Sequence, residues 1–313
     1  MQWIVFVLIA ALALMLVSGG YTFVTACVRR KELPWLDETA IKKTAYGKHY
    51  DSIVIGHSFL EEKVTQELEL VSEDGLKLHA VWVPAENPKG TVLLAHGYRS
   101  SKLVDFSLAL GMYHAIGMNL LLPDQRAHGK SEGKYITFGV KESRDMQKWV
   151  SFHNEKFGKY PLVLSGLSMG ASTVLYLADA DLPENVKGII ADCGFTSPWE
   201  IIKKVFHRVV HLPAAPTVWA ADLFARLFAG FSLQQKDTRK TLQNSKLPVL
   251  LVHGIDDDFV PCEMTEQAYA ACKEPKELLL VEGAGHGVSF LVEKDRYVQT
   301  VMAFLEKYVE EKE

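Results

Sequence analysis

The amino-terminal segment has a pattern unlike that of the rest of the chain. No charged side chain occurs in its first 28 residues, and residues 3–17 are almost wholly apolar. About 20 consecutive apolar residues are enough for a helix to cross the hydrocarbon core of a bilayer. The pattern therefore predicts a membrane-spanning segment over residues 1–28, followed by a polar connector over residues 29–50 and a folded domain over residues 51–313.

Three interpretations of this apolar segment are open: a retained membrane anchor, a cleaved signal peptide, and a lipoprotein signal that is cut before Cys27. The third rests on the run Val-Thr-Ala-Cys that ends at Cys27, which resembles a lipobox. A signal peptide begins with a basic segment. Here only Met1, Gln2 and Trp3 come before the long apolar run, which favours the retained single-pass anchor.

The charges around the segment predict its orientation. Basic side chains follow it and none precedes it: Arg29, Arg30, Lys31, Lys42 and Lys43. Loops rich in Lys and Arg remain on the cytoplasmic side of a membrane. The folded domain is therefore expected to face the cytoplasm.

The hydrophobic pattern after the connector predicts alternating strands and helices. Residues 64–71 and 76–83 alternate around a turn at Asp74-Gly75, which is typical of an antiparallel hairpin. Stretches of helical period, such as residues 140–157, separate most of the later strands. These later strands are short apolar runs at residues 91–95, 119–123, 161–165, 188–191, 248–252 and 277–281. Strands buried on both faces and alternating with helices predict an α/β fold with a mostly parallel, eight-stranded sheet covered on both sides.

Residues 198–246 interrupt this alternation and predict a helical cap inserted between two strands. Two stretches of helical character, residues 198–212 and 217–231, replace the strand that the alternation would place there. The aromatic side chains of the cap could line an apolar substrate pocket or form a small core of the cap itself. They are Trp199, Phe206, Trp219, Phe224, Phe228 and Phe231.

Composition and charge remove several classes of function. An apolar fraction of 48% and a charged fraction of 23% are those of an ordinary globular protein. A net charge of −4 without a basic run gives no electrostatic basis for binding nucleic acid. No phosphate-binding loop or dinucleotide fingerprint is present, so no cofactor is expected. Nor is a metal site expected, because the cysteines are scattered without Cys-x-x-Cys or zinc-finger spacing: Cys27, Cys193, Cys262 and Cys272.

The run from Gly166 to Gly170, Gly-Leu-Ser-Met-Gly, is the candidate nucleophile turn. It follows the apolar run at residues 161–165 and precedes a stretch of helical period. A sharp turn from strand to helix exposes a serine hydroxyl, and it needs glycine on either side because any side chain there would collide. This placement predicts Ser168 as the nucleophile.

The base and the acid that activate a serine are expected later in the chain. His286 lies among glycines just after the strand at residues 277–281, where it can reach the serine. The acid has four candidates on the residues alone. Asp256, Asp257 and Asp258 follow the strand at residues 248–252, and Asp192 ends an earlier strand.

The sequence at this point resembles a known family. His253-Gly254-x-x-Asp257-x-x-Val260-Pro261 is similar to a signature of α/β hydrolases related to the serine aminopeptidase and prolyl-oligopeptidase-like groups. The resemblance implies that Asp257 is the acid. It covers the chain from about residue 64 to the C-terminal helix, with every motif in the family's order.

Two further runs carry the same resemblance. His96-Gly97-Tyr98 resembles the oxyanion turn of the family, which implies that the backbone N–H groups of Tyr98 and Met169 stabilise the oxyanion. Residues 124–131 resemble a loop that is chiefly structural in the family, with Ala127 in place of the usual glycine. Residues 191–197 further resemble bacterial membrane-tethered hydrolases.

The sequence therefore predicts a serine hydrolase that cleaves a carboxylic ester, thioester or amide through an acyl-enzyme on Ser168, with His286 and Asp257 completing a triad. The expected substrate is a small or lipid-like carbonyl compound. A peptidase or an acyltransferase would use the same residues. A non-catalytic binding module on the same scaffold is the alternative from a different class.

Overall fold

A computed structural model describes residues 2–43, 47–48, 50–63, 65–211, 213–273 and 275–309. Within these ranges one sheet of eight strands runs in the order β1-β2-β4-β3-β5-β6-β7-β8. β2 pairs antiparallel with β1 and with β4, and the other neighbours are parallel. The strands are β1 Gln66–Val71, β2 Lys77–Val83, β3 Gly90–Ala95, β4 Met118–Pro123, β5 Leu162–Leu167, β6 Val186–Asp192, β7 Val249–Gly254 and β8 Lys276–Val281.

Helices cover both faces of the sheet. They are α1 Gln2–Cys27, α2 Glu38–Ile41, α3 Tyr50–Glu62, α4 Lys102–Asp105, α5 Ala109–Ala115, α6 Glu142–Phe157, α7 Met169–Leu175, α8 Pro198–Val210, α9 Ala215–Phe224, α10 Thr238–Gln243, α11 Cys262–Ala271, α12 Ser289–Val292 and α13 Lys294–Tyr308. A π-helical turn, Ala225–Ala229, continues α9.

The predicted fold class is confirmed, including the antiparallel opening hairpin. Each strand lies within a few residues of its predicted position, although Val64, the predicted start of the first strand, lies outside the described residues. Every residue of β3, β4 and β7 is buried, as expected of strands covered on both faces. One core layer packs around Trp149 of α6, and the other packs around Phe304 of α13.

The parallel strands bring the predicted site residues to one edge of the sheet. Ala95 of β3 lies beside Gly166 of β5, and Leu167 of β5 lies beside Asp192 of β6. Gly254 of β7 lies beside Val281 of β8. Because carboxyl ends of parallel strands share an edge, the loops that follow β3, β5, β6, β7 and β8 converge there.

The described residues between 29 and 62 contain more regular structure than the polar connector predicted for residues 29–50. α2 and α3 form within them, and Trp35, Ile41 and Ile53 make a small core that packs on Val104. Gly56 of α3 lies so close to α4–α5 that a Cβ there would be 2.6 Å from the Cα of Ser107. The sequence pattern did not indicate α3, because its apolar side chains do not form one buried stripe: Ile53 is buried, whereas Val54 and Ile55 are exposed.

α1 is long and apolar enough to cross a membrane, although a signal sequence would pass the same test. Residues 2–14 are exposed along their whole length, whereas the second half of the helix packs on α9. The chain then stays close to the domain after α1 ends. Val28 forms a bridge with Tyr135, and the Arg29 side chain donates to the carbonyls of Gly129 and Ser131 at 2.7 Å each.

The segment between β6 and β7, residues 198–246, holds α8, α9 and α10 and is called the cap segment below. Ser197 accepts a hydrogen bond from the Glu200 N–H and Pro198 occupies the first turn, which are ordinary helix-start signals. α8 ends at Val210, and Leu212, the predicted end of this helix, lies outside the described residues. The second predicted stretch, residues 217–231, corresponds to α9 and its π-helical turn.

Candidate active site

Ser168 occupies a strained turn between β5 and α7. Its φ of 56° and ψ of −116° lie in a region that side chains other than glycine rarely adopt. Close packing on either side requires the two glycines. A Cβ at Gly166 would lie 2.2 Å from the carbonyl oxygen of Gly170, and one at Gly170 would lie 1.8 Å from the carbonyl oxygen of Ala95. The turn therefore has the geometry predicted for a nucleophile.

Ser168, His286 and Asp257 form a continuous chain of hydrogen bonds. The Nε2 of His286 lies 2.9 Å from the Oγ of Ser168, and its Nδ1 lies 2.7 Å from the Oδ2 of Asp257. An ionised carboxylate only accepts hydrogen bonds, so the Nδ1–H donates to Asp257 and leaves Nε2 free to accept the serine proton. The ring of Phe259 packs edge-on against the imidazole at 5.0 Å between centroids.

The structure distinguishes among the four carboxylates that the sequence left as candidates for the acid. Asp256 and Asp258 are exposed. Asp192 is buried and is held by the hydroxyl of Tyr297. Asp257 alone of the four hydrogen-bonds to His286 among the described residues.

Hydrogen bonds keep Asp257 charged despite its burial. Burial alone would raise the pKa of its carboxyl, but hydrogen bonds from His253 and His286 together hold that pKa below its ordinary value. The backbone N–H groups of Phe259 and Val260 also donate to its Oδ1 at 2.9 Å each. The carboxylate is therefore ionised at neutral pH and can stabilise a positively charged imidazole.

His253 supports Asp257, a role that the sequence did not indicate. Its side chain is fully buried, and its Nε2 lies 3.1 Å from the Oδ2 of Asp257 and 2.9 Å from the carbonyl oxygen of Val260. The hydroxyl of Thr265 lies 2.6 Å from its Nδ1. His253 thus fixes both the acid and the loop that carries it.

The turn from His96 to Tyr98 lies against the predicted nucleophile. A Cβ at Gly97 would be 3.3 Å from the Cβ of Ser168, so glycine allows the turn its close approach. Met169, the other predicted oxyanion donor, is the first residue of α7 and directly follows Ser168. Gly97 and Met169 therefore both lie next to the serine, and Tyr98 directly follows Gly97.

Several buried polar groups hold this turn in place. The N–H of Gly97 donates to Asp105, whose other oxygen accepts from the hydroxyl of Ser100 at 2.6 Å. The N–H of Arg99 donates to the Nε2 of His128 at 3.0 Å. His128 belongs to residues 124–131, the loop for which the sequence predicted a structural role. Sequence patterns gave no signal for Asp105, because its partners are distant from any motif.

A cavity of about 660 Å³ opens above Ser168 and His286. Its apolar wall includes Phe106, Tyr113, Phe290 and Tyr297, and its rim includes residues 30–33. A volume of this size accommodates a small-molecule or acyl substrate.

The aromatic side chains of the cap segment do not line this cavity. Trp199 packs edge-on against Trp219 at 4.9 Å between centroids, and Phe224 stacks on Phe228 at 6.0 Å. Phe231 is buried in a cluster with residues of α1 and α8. The structure therefore gives no support to a pocket lining and favours a packing role for Trp199, Phe206, Phe224 and Phe231, whereas Trp219 and Phe228 are 55% and 58% exposed.

The donor atoms of Cys193, Asp257 and His286 lie within 4.8 Å of one another and could in principle hold a metal ion. Both imidazole nitrogens already have protein partners. Burial raises the pKa of the Cys193 thiol well above its ordinary value, so this thiol stays protonated, whereas a metal binds the thiolate. The arrangement fits proton transfer better than metal binding.

Substitution Asp105→Ala, which removes the acceptor of the Gly97 N–H, is expected to lower kcat of the reaction at this site about 10- to 100-fold with a smaller change in KM, because the misplaced turn affects the transition state most. The matched control is Ser100→Ala, and steady-state kinetics of the two variants and the natural chain measure the change in kcat. That substitution removes one of the two hydrogen bonds to Asp105 but keeps the bond to Gly97. Unchanged kcat per folded molecule, with only a lower melting temperature, would show that Asp105 is merely structural.

A pH-dependent effect on stability is expected at Asp192. Burial raises the pKa of this carboxyl from 3.8 to about 6. The unfolded state therefore loses its proton first, and the folded state loses relative stability as pH rises from about 4 to 6. Asp192→Asn does not titrate, so its stability relative to the natural protein should increase over this interval by on the order of 3 kcal/mol. Denaturant unfolding from pH 4 to pH 8 measures it; a difference that is constant with pH contradicts the assignment.

Two families match parts of the chain. Residues 86–217 match the family described as "Serine aminopeptidase, S33". Residues 164–291 match the family described as "Serine hydrolase (FSH1)", and this second match contains Ser168, Asp257 and His286.

Relatives and solved structures resemble the chain over most of its length. It is 29% identical to YqkD of Bacillus subtilis (strain 168) over 255 residues, which is 80% of this chain and 83% of YqkD. The membrane protein YNL320W of Saccharomyces cerevisiae is 25% identical over 213 residues, 66% of this chain and 68% of that protein. The Pyrococcus furiosus esterase Pf2001 superposes with a TM-score of 0.64 and 23% identity, covering 79% of this chain and 91% of that one. At this identity the likeness to the esterase is one of fold.

Proposed function

We propose that this chain is a serine hydrolase that cleaves a carboxylic ester, thioester or amide through an acyl-enzyme on Ser168, in keeping with the serine aminopeptidase and serine hydrolase families that match parts of it. The observation that carries the proposal is the chain of hydrogen bonds from Asp257 through His286 to Ser168, which ends at a strained serine beneath a cavity. Strain at a residue other than glycine is retained where the surrounding structure and the function require it.

The first half of the reaction forms the acyl-enzyme. The Oγ of Ser168 attacks the carbonyl carbon while the Nε2 of His286 takes the hydroxyl proton, and an electron pair moves onto the carbonyl oxygen. The backbone N–H groups of Tyr98 and Met169 donate to this oxyanion. The intermediate then collapses, the bond to the leaving group breaks, and His286 protonates the departing alcohol, thiol or amine.

The second half of the reaction releases the carboxylic acid product. His286 takes a proton from water, which attacks the acyl carbonyl, and the ester bond to Ser168 breaks as the serine regains its proton. The charged Asp257 stabilises the imidazolium in both halves. The ionised state of Asp257 supports this role, because a neutral carboxyl could not stabilise the positively charged imidazole.

A substrate panel tests the proposal. The purified full chain in detergent is offered chromogenic esters, acyl thioesters and aminoacyl amides, beside Ser168→Ala. The proposal expects turnover of at least one class by the natural chain and its loss in the variant. Equal turnover by both proteins would contradict a role for Ser168. Turnover of aminoacyl amides alone would identify a peptidase.

We also propose that α1 is a retained membrane anchor and that residues 198–246 are a cap on the hydrolase domain. Retention is supported by the burial of Phe23 and Cys27 among residues of the cap segment, since cleavage before Cys27 would remove Phe23 from that cluster. The basic residues after α1 support a domain that faces the cytoplasm. Protease added to intact cells should leave the domain whole; its digestion would contradict this orientation.

A further inference from the structure

The length of the free part of α1 does not match a bilayer. Residues 2–14 are exposed on every side, and 13 residues at 1.5 Å each span roughly 20 Å. The hydrocarbon core of a bilayer is about 30 Å thick. α1 carries no charged side chain up to its end at Cys27, so hydrocarbon around an anchored α1 continues beyond residue 14. That part of the helix is the part packed against α9.

α9 lies directly against this part of α1. The hydroxyl oxygens of Ser18 and Thr217 are 3.0 Å apart. A Cβ at Gly19 would lie 2.3 Å from the Cβ of Ala220, so the two backbones approach as closely as glycine allows. Small residues at the contact are typical of helices that associate within membranes. α9 thus runs beside a stretch of α1 that has to be surrounded by lipid.

The outer face of α9 and its π-helical turn is apolar and uncovered among the described residues. Trp219 is 55% exposed, Leu223 46%, Leu227 67% and Phe228 58%. The neighbouring part of α1 also exposes apolar side chains, Val17 at 71%, Tyr21 at 72% and Val24 at 55%, while Phe228 packs on the buried Phe23 at 6.1 Å between ring centroids. A contiguous patch of this kind is rare on a surface that faces water.

The charged groups of α9 and its π-helical turn are compatible with lipid around them. Asp222 is the sole charged residue of α9 and is buried. It accepts hydrogen bonds from the N–H of Leu233 at 2.6 Å and from the Nε of Arg226 at 2.8 Å. Arg226 itself is long enough to extend its charge to the headgroups.

We propose that the exposed face formed by Trp219, Leu223, Leu227 and Phe228 lies within the lipid bilayer beside α1. The inference rests on the proposed anchoring by α1 and deepens the proposed function. A second copy of the chain or a soluble partner would have to enter the bilayer to cover this face, whereas lipid already surrounds the adjoining surface of α1.

This placement puts the mouth of the catalytic cavity at the headgroup layer. Ala26 lies at the end of α1, three residues before Arg29, the first charged side chain of the sequence. The hydroxyl of Tyr98 donates to the carbonyl of Ala26 at 2.8 Å, and Arg99 donates to the carbonyl of Val28 at 3.2 Å. Arg30 and Lys31, two and three residues after Val28, line the cavity. The substrate class that fits is an amphiphile whose apolar part lies in the membrane and whose reactive carbonyl lies at its surface.

Spin labels on single cysteines test the depth of the cap segment. The full chain, with Cys262→Ser to remove the half-exposed thiol, is reconstituted in phosphatidylcholine vesicles with a nitroxide at position 223 or 227. Matched labels are placed at Leu12 of α1 and at the exposed Ser151 of α6. The spin-relaxation rate of each label is then measured with oxygen, which concentrates in hydrocarbon, and with a nickel chelate, which stays in water. The proposal expects labels at 223 and 227 to respond to oxygen and not to nickel, as the label at 12 does.

Three results would overturn the inference. Labels at 223 and 227 that respond to nickel like the label at 151 place the face in water, and labels shielded from both agents place it under a protein partner or a second copy. A label at 12 that responds to nickel removes the anchoring on which the inference rests. Labelling of Ser168 by a fluorophosphonate in the same vesicles is scored separately. A reactive Ser168 beneath a water-exposed cap leaves the proposed function standing, whereas an unreactive Ser168 beneath an immersed cap leaves the inference standing.

Discussion

Substitution His286→Ala is expected to lower kcat for ester hydrolysis by roughly 10⁴- to 10⁶-fold while KM changes little. The imidazole takes the proton from Ser168 and returns it to the leaving group, and both steps lie in the transition state rather than in substrate binding. The Nε2 of His286 is the nearest base to the serine, at 2.9 Å. Steady-state kinetics with a chromogenic ester measure the effect.

His57→Ala provides the control for this substitution. His57 lies on α3, is partly exposed, and pairs with Glu61 one turn later at 3.3 Å. Its removal should leave kcat within about 2-fold of the natural value, because a surface pair of this kind contributes little. A loss in His286→Ala no larger than that in His57→Ala would mean that another group serves as the base.

Substitution Gly170→Ala is expected to destabilise the fold by at least about 3 kcal/mol and to abolish activity. The added methyl would lie 1.8 Å from the carbonyl oxygen of Ala95 and 2.8 Å from that of His96. Both atoms are backbone at the end of β3, so the clash can be relieved only by moving the strand and the oxyanion turn after it. Denaturant unfolding of the full chain in detergent, with activity per folded molecule, measures both effects.

Gly111→Ala is the matched control for the same chemical change. Gly111 lies within α5, and a Cβ there would meet nothing within 4 Å. Alanine is a better helix former than glycine, so this variant should be stabilised by about 0.5–1 kcal/mol. Equal stability of the Gly170→Ala and Gly111→Ala variants would contradict the tight packing of the turn.

Residues with local signals were predictable from the sequence. Ser168 stands in a five-residue motif between a strand and a helix, and His286 follows a buried strand among glycines. The strands themselves were predictable, β1 and β2 from their alternation around a turn and the later strands from their short apolar runs. Asp257 was one of four carboxylates until the family resemblance implied it, because neighbouring loop positions look alike before the backbone directs each side chain.

Residues that act through distant partners were not predictable. Asp105 holds Gly97 from another element, and nothing around it in the sequence indicates that contact. The aromatic side chains of the cap segment allowed two interpretations, since composition does not say which surface they face. The packing of Gly19 on Ala220 was not predictable either, because the sequence of an apolar helix does not indicate which helix it contacts.

The most direct test of the account is the site at which a fluorophosphonate probe reacts with the full chain. The account predicts one phosphonyl group per folded molecule, mapped by mass spectrometry to the peptide that contains Ser168, and no adduct in the Ser168→Ala variant. Undiminished labelling of that variant, or an adduct mapped to another serine such as Ser165, would contradict the central claim that Ser168 is the nucleophile.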